Sequence, residues 1–154
     1  MSQPLWRLDA QVFGADLTPD PAWAALHRVR LLSPEELIQT MDILSIHLSV
    51  LKEDPFQLGE KEIFSMKKGS LLINVSRGSL VNETVLYQAL KSRHLSGAAL
   101  DVFQEEPYSG KLTELDNVIL TPHIATLTEQ SRLQMEVQSI KNLISYFSRP
   151  WVGV

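Results

Sequence analysis

The chain has 154 residues, 44% hydrophobic and 21% charged, with a net charge of −4. That size and composition suit one globular domain that buries roughly two thirds of its unfolded surface. No Lys/Arg-rich block points to nucleic acid or an acidic membrane, and no apolar run reaches a membrane span; without cysteine there is no disulfide, thiolate catalysis or thiolate metal site. Residues 1–9 lack the apolar core of a signal peptide, so a cytoplasmic protein is expected.

Residues 10–15 contain Val12 and Phe13 and predict a strand ending at Asp16. Thr18-Pro19-Asp20-Pro21 is a turn, and Pro21 opens a short helix that ends near Leu26. Residues 29–32 predict a brief strand. Ser33-Pro34-Glu35-Glu36 is a capping box that starts a helix running to about residue 40. A strand over 43–48 follows, then a loop through Lys52-Glu53-Asp54-Pro55 and a helix over 60–66.

Leu71-Leu72-Ile73-Asn74-Val75 is apolar except for Asn74 and is bounded by Lys67-Lys68-Gly69 and Ser76-Arg77-Gly78. A short apolar run between turn signals predicts a strand buried on both faces of a parallel sheet. Asn82 caps a helix over 83–92, and residues 97–102 form a strand of small and apolar residues. Glu105-Glu106-Pro107 and Ser109-Gly110 are irregular. Val118-Ile119-Leu120 is the last strand, closed by Thr121-Pro122-His123. A long helix over 126–147 carries Leu133, Val137, Ile140, Ile144 and Phe147 at helical spacing, and the tail 149–154 reads as loose. Strands alternate with helices, which predicts a parallel doubly wound sheet.

The chemistry-bearing residues cluster at strand ends. Arg77, Asp101 and His123 each end a strand, and Glu106 follows Asp101 by five residues. In a parallel sheet such ends converge on one edge, where open α/β sheets bind ligands. A guanidinium there holds a carboxylate in bidentate fashion, and Gly78 after it permits close backbone approach. A histidine paired with a glutamate is a general acid, since the carboxylate favours imidazolium. Spacing alone does not establish that pairing. Arg77 also reads as a surface arginine in a turn, and His123 as a hydrogen-bonded turn residue.

Several segments, in this order and spacing, carry a resemblance. They are 42–48 (Asp-Ile-Leu-Ser-Ile-His-Leu), Met66-Lys67-Lys68-Gly69 leading into 72–78 (Leu-Ile-Asn-Val-Ser-Arg-Gly), and Leu80-Val81-Asn82-Glu83. Further along come 97–103 (Gly-Ala-Ala-Leu-Asp-Val-Phe), Glu105-Glu106-Pro107, and 117–125 (Asn-Val-Ile-Leu-Thr-Pro-His-Ile-Ala). From 43 to about 130 the chain resembles the coenzyme domain of the D-isomer-specific 2-hydroxyacid dehydrogenases. The resemblance implies a Rossmann-like fold, with an NAD-binding part over about 10–125 and a C-terminal helix over 126–147, in one domain spanning 1–154. It implies that Arg77 binds the substrate's carboxylate and keto oxygen, that His123 is the acid/base, and that Glu106 keeps His123 protonated. Asp101 would hydrogen-bond the nicotinamide carboxamide, Val75 and Ala125 would line the cofactor, and Asp16 would accept the adenosine ribose hydroxyls, favouring NAD over NADP.

The departures are equally specific. No two of the seven glycines are separated by one residue, so the Gly-x-Gly-x-x-Gly phosphate loop is absent. Only fifteen residues precede Asp16, too few for strand, loop and helix together. Ser49 and Leu51 replace the family's usual proline and threonine. The sequence therefore reads as an N-terminally truncated member lacking the first strand, the phosphate loop and the substrate-domain segment.

In the dinucleotide-binding strand order 3-2-1-4-5-6, residues 10–15 and 29–32 correspond to strands 2 and 3, and 43–48 to strand 4. With strand 1 missing, the expectation is that 10–15 shifts to pair directly with 43–48. A filling strand from a second chain and loose packing of the first forty residues are the alternatives. Functionally, the expectation is an NAD-dependent oxidoreductase that reduces small 2-keto acids to 2-hydroxy acids, weak or inactive as this chain. The alternative is a non-catalytic nucleotide-binding or interaction module. A homodimer is allowed by this reading.

Overall fold

The computed structural model describes residues 9–50 and 56–148. Leu51, the loop at 52–55 and the tail 149–154 lie outside the described residues. The chain runs β1 (Val12–Gly14), α1 (Pro21–Leu26), β2 (Val29–Leu31), α2 (Pro34–Thr40) and β3 (Ile43–Ile46). It continues through α3 (Glu60–Ser65), β4 (Leu71–Asn74), α4 (Glu83–Lys91), β5 (Gly97–Leu100), β6 (Val118–Leu120) and α5 (Glu129–Phe147). Helix starts follow the caps read from sequence. Ser33 and Glu36 form the reciprocal box on α2, and the Asn82 side chain accepts from the Val85 amide, 3.1 Å, on α4.

The strands form two parallel sheets. β3-β4-β5-β6 is one, and β1-β2 the other. In the larger sheet the register aligns Leu44, Leu72, Ala98 and Val118 in one row, and Ile46, Asn74, Leu100 and Leu120 in the next. Both rows face the core, which α2, α3 and α4 complete with Ile38, Ile63, Leu86 and Leu90. The opposite face is open: Ile43 is 55% exposed and Ile119 66%. β4 is thus buried on one face, not on both as the apolar run predicted. The cause is that α2, α3 and α4 all contribute to one cluster, while α5 has no buried residue.

β1 does not pair with β3, contrary to the expected shift. It keeps its ladder to β2, Val12 opposite Val29, extended by the Leu32 amide donating to the Gly14 carbonyl at 3.0 Å. α2 links the two sheets: it leaves β2 through the Ser33 cap and sends Ile38 into the core of the larger one. Between β1 and β3 lies a groove of about 380 Å³ lined by Phe13, Gly14, Leu37, Leu44, Ile46 and Leu58, among others.

The Asp42 carbonyl accepts from the Leu71 amide (2.9 Å) and the Ile46 carbonyl from Ser76 Oγ (2.7 Å). Residues 42, 44 and 46 therefore turn their backbone polar groups to β4, and Ile43, Ser45 and His47 turn theirs to the groove. Two proline substitutions separate these edges. Ser45→Pro removes an amide that serves no ladder and should keep a cooperative thermal transition with a small shift. Leu44→Pro removes a ladder bond and a buried side chain and should cost about 2–5 kcal/mol or more. Thermal unfolding followed by circular dichroism reads both.

Candidate active site

The carboxyl end of β4 is built by Asn74. Its side chain is fully buried, donates to the Arg77 carbonyl (2.9 Å) and accepts from the Ser76 amide (3.1 Å). Ser76 Oγ in turn donates to Ile46 of β3. These bonds fix the turn that presents Arg77, whose exposed guanidinium donates to the Ser76 carbonyl, 2.6 Å. Gly78 presses against the next strand's exit: a Cβ there would lie 2.0 Å from the Phe103 carbonyl carbon, so only glycine fits.

The ends of β5 and β6 are joined by Asp101. It is 5% exposed, and its Oδ1 accepts from Thr121 Oγ1 (2.5 Å) and the Ile124 amide (2.9 Å), its Oδ2 from the Ala125 amide (2.9 Å). Burial pushes this carboxyl up, but the bonds from Thr121, Ile124 and Ala125 and the nearby His123 outweigh it, and the pKa lies below its ordinary value. His123 occupies the centre of the clamped turn in a left-handed conformation, φ 54°. Its Nδ1 meets Glu106 Oε2 at 2.9 Å, while Glu106 Oε1 accepts from the Phe103 amide at 3.1 Å. The bond to His123, then that to Phe103, hold the Glu106 carboxyl below its ordinary range. Beside Glu106 a cavity of about 470 Å³ is lined by Phe103, Pro107, Tyr108, Thr113, Leu120, Thr121 and Pro122.

Of the residues singled out from sequence, His123, Glu106 and Asp101 thus form one bonded cluster with Ala125 at its edge. The Arg77 turn abuts that cluster through Gly78 and Phe103; the guanidinium itself has no bond to Glu106 or His123. Val75, exposed, continues from β4 into the same turn. Asp16 stands apart, on the groove beyond β1, with Oδ1 accepting from the Thr18 amide, 2.9 Å. Sequence reading passed over Asn74 and Thr121 as positioning residues. A lone Asn inside an apolar strand is the available signal for the first, because a buried amide demands partners; nothing in the sequence pairs Thr121 with Asp101.

A family model described as D-isomer specific 2-hydroxyacid dehydrogenase, NAD binding domain, matches residues 2–125. The glyoxylate reductase of Thermococcus litoralis is 43% identical over 113 residues, 73% of this chain and 34% of that protein. The D-3-phosphoglycerate dehydrogenase of Escherichia coli is 41% identical over 117 residues, 72% of this chain and 28% of that protein. The chain thus spans about a third of the length of these relatives. Among solved structures, the D-isomer specific 2-hydroxyacid dehydrogenase of Lactobacillus delbrueckii in its NAD complexed form superimposes with a TM-score of 0.82 at 26% identity, covering 97% of this chain and 50% of that one. A glyoxylate reductase from Paecilomyes thermophila gives 0.85 at 27%, covering 96% and 45%. No described helix is long and apolar enough to cross a membrane.

Both carboxyls titrate below their ordinary values, 3.8 for Asp101 and 4.5 for Glu106. A depressed folded-state pKa adds stability that is fully present above the unfolded value and lost as pH falls through the folded one. Resistance to urea unfolding should therefore fall progressively below about pH 4.5. Asp101→Asn should cost about 1–3 kcal/mol at neutral pH, because one of the two oxygens becomes an NH2 that leaves either the Ala125 amide or the Ile124 amide and Thr121 hydroxyl without an acceptor, and should flatten that acid dependence.

Proposed function

Because the chain belongs to the D-isomer specific 2-hydroxyacid dehydrogenase family, through its NAD-binding domain, we propose that Arg77, Glu106 and His123 carry a 2-keto acid reduction with NADH as the hydride source. The observation that carries this reading is the 2.9 Å His123–Glu106 pair beside the turn that presents Arg77.

The roles follow from chemistry. Arg77 binds the substrate carboxylate through its planar donor fork and polarises the keto oxygen. Glu106 engages His123 at Nδ1, which leaves Nε2 to give its proton to the keto oxygen as the carbonyl is reduced, and to take one back in the reverse direction. Glu106, itself anchored on the Phe103 amide, fixes the orientation of the His123 ring. The substrate class we infer is a small 2-keto or 2-hydroxy acid, since one cation and one acid/base suffice to recognise its carboxylate and reacting oxygen.

The residues fit both ends of the dinucleotide. Asp16 lines the groove between β1 and β3 with an Oδ2 that has no hydrogen bond among the described residues and can accept ribose hydroxyls, and an acidic residue there favours NAD over NADP. Asp101 retains acceptor capacity on Oδ2 for the carboxamide, beside the Ala125 amide that donates to it, and Val75 follows the end of β4. The middle fits poorly: the sequence contains no Gly-x-Gly for the pyrophosphate. When bound, the cofactor supplies the hydride; this chain alone should hold it weakly.

Fluorescence titration should show saturable but weak NADH binding that Asp16→Ala weakens further. Turnover of glyoxylate or hydroxypyruvate should stay well below ~1 per second, the low end of ordinary enzymes. What turnover remains should fall about 10²–10⁴-fold in His123→Ala and lose carboxylate dependence in Arg77→Ala. Absence of saturation, or turnover indifferent to His123, would refute the proposal; saturable binding with no turnover would favour a nucleotide-binding module.

A further inference from the structure

β3 is the free edge of the larger sheet. Its outer flank carries a second constellation that the proposed reduction does not use. Ser45 lies in β3 and His47 directly follows it, so extended backbone projects both side chains to the same side. Ser45 Oγ meets His47 Nε2 at 2.9 Å. Neither side chain has another hydrogen-bond partner among the described residues. With the ring proton on Nδ1, the hydroxyl donates to Nε2. That is the contact by which a general base takes the proton of a nucleophilic serine.

The surroundings supply what acyl transfer also needs. The backbone amides of Ser45 and His47 serve no ladder and turn to the groove between β1 and β3. The nucleophile's own amide forms half of the oxyanion hole in serine proteases, and donors so placed stabilise a tetrahedral oxyanion. The groove, about 380 Å³, falls in the size range of small-molecule sites. Both Ser45 and His47 line it, and Phe13, Leu37, Leu44, Ile46 and Leu58 make its walls apolar. Such walls bury an uncharged chain favourably and a charged one at a cost.

We propose that Ser45 and His47 form a nucleophile–base dyad that hydrolyses carboxylic esters of short apolar acyl groups, with the acyl chain in the groove. This is independent of the 2-keto acid reading.

Ser45 Oγ bonds to the acyl carbon, and the bond from that carbon to the alcohol oxygen breaks. The hydroxyl proton passes to His47 Nε2 and from there to the departing alkoxide. Water then bonds to the acyl carbon as its bond to Oγ breaks, and its proton returns through His47 to Ser45. Ester and water become acid and alcohol, with no oxidant or reductant. No carboxylate engages His47 Nδ1 among the described residues. Loss of that partner costs about 10⁴ in kcat in a serine protease, so the dyad is confined to esters with good leaving groups.

4-Nitrophenyl butyrate is the probe. The full chain should hydrolyse it with saturation, and with a kcat/KM about tenfold above that for the acetate, which buries two fewer methylenes. An alkyl fluorophosphonate should stop the reaction and add its mass to Ser45, located by peptide mass spectrometry. Ser45→Ala should lose the label and fall to the rate of the reagent in buffer. His47→Gln should slow hydrolysis about 10²–10⁴-fold and labelling with it. Both positions are exposed, so unchanged circular dichroism and unfolding midpoint should show the fold intact. A label on any other residue, hydrolysis unchanged in Ser45→Ala, or a rate linear in ester concentration, as free imidazole gives, would each overturn the proposal.

Discussion

Asp101 is the constraint on which the candidate site depends. A nearly buried carboxylate is costly unless its oxygens are satisfied, and here three donors from one short stretch, Thr121, Ile124 and Ala125, satisfy them. That requirement gathers the segment beyond β6 onto the end of β5. It holds His123 in a backbone conformation that a histidine seldom adopts unaided. The parallel register, which aligns Ala99 with Ile119 and Leu100 with Leu120, brings the two ends level so that one carboxylate can reach across.

A second clamp repeats the arrangement on the neighbouring strand. Asn74 bonds forward to its own turn, Ser76 bonds sideways to β3, and Gly78 leaves room for the Phe103 backbone. Phe103 donates its amide to Glu106. The acid/base pair and the arginine turn are thus mechanically joined through main chain. A side chain at 78 would force them apart without touching either.

Much of this was legible in the sequence, for identifiable reasons. Strand cores were read correctly because short apolar runs between turn residues have few other uses, and α2 and α4 because Ser33 and Asn82 are strong caps. Strand ends were overestimated by one or two residues at 43–48, 71–75 and 97–102, where the last residues leave the ladder to build the site turns. Periodicity shows that Leu71 and Ile119 are apolar but not whether a helix lies over them, so one-sided burial was missed. The separation of β1 from β3 was missed because strand pairing is a property of packing that local pattern does not carry. On pattern alone the pairing of Glu106 with His123 was one of two readings; the family resemblance was what assigned it.

The two-sheet arrangement also sets how the molecule comes apart. The unit from β1 through β2 has its own ladder and its own buried residue, Ala24 on α1, and is tied to the rest through α2 and the walls of the groove. The core side chains with no exposure, Ile63, Leu72, Leu86, Ala89, Leu90, Leu95 and Leu112, all belong to the larger unit. Free energy of local opening is therefore unevenly divided, with the small sheet at the low end. Amide protons of Val12–Gly14 and Val29–Leu31 should exchange by sub-global opening, and those of β4 and β5 only on global unfolding. Asp16 sits on the smaller unit and the His123–Glu106 pair on the larger, so the two ends of the candidate site rest on different amounts of buried core.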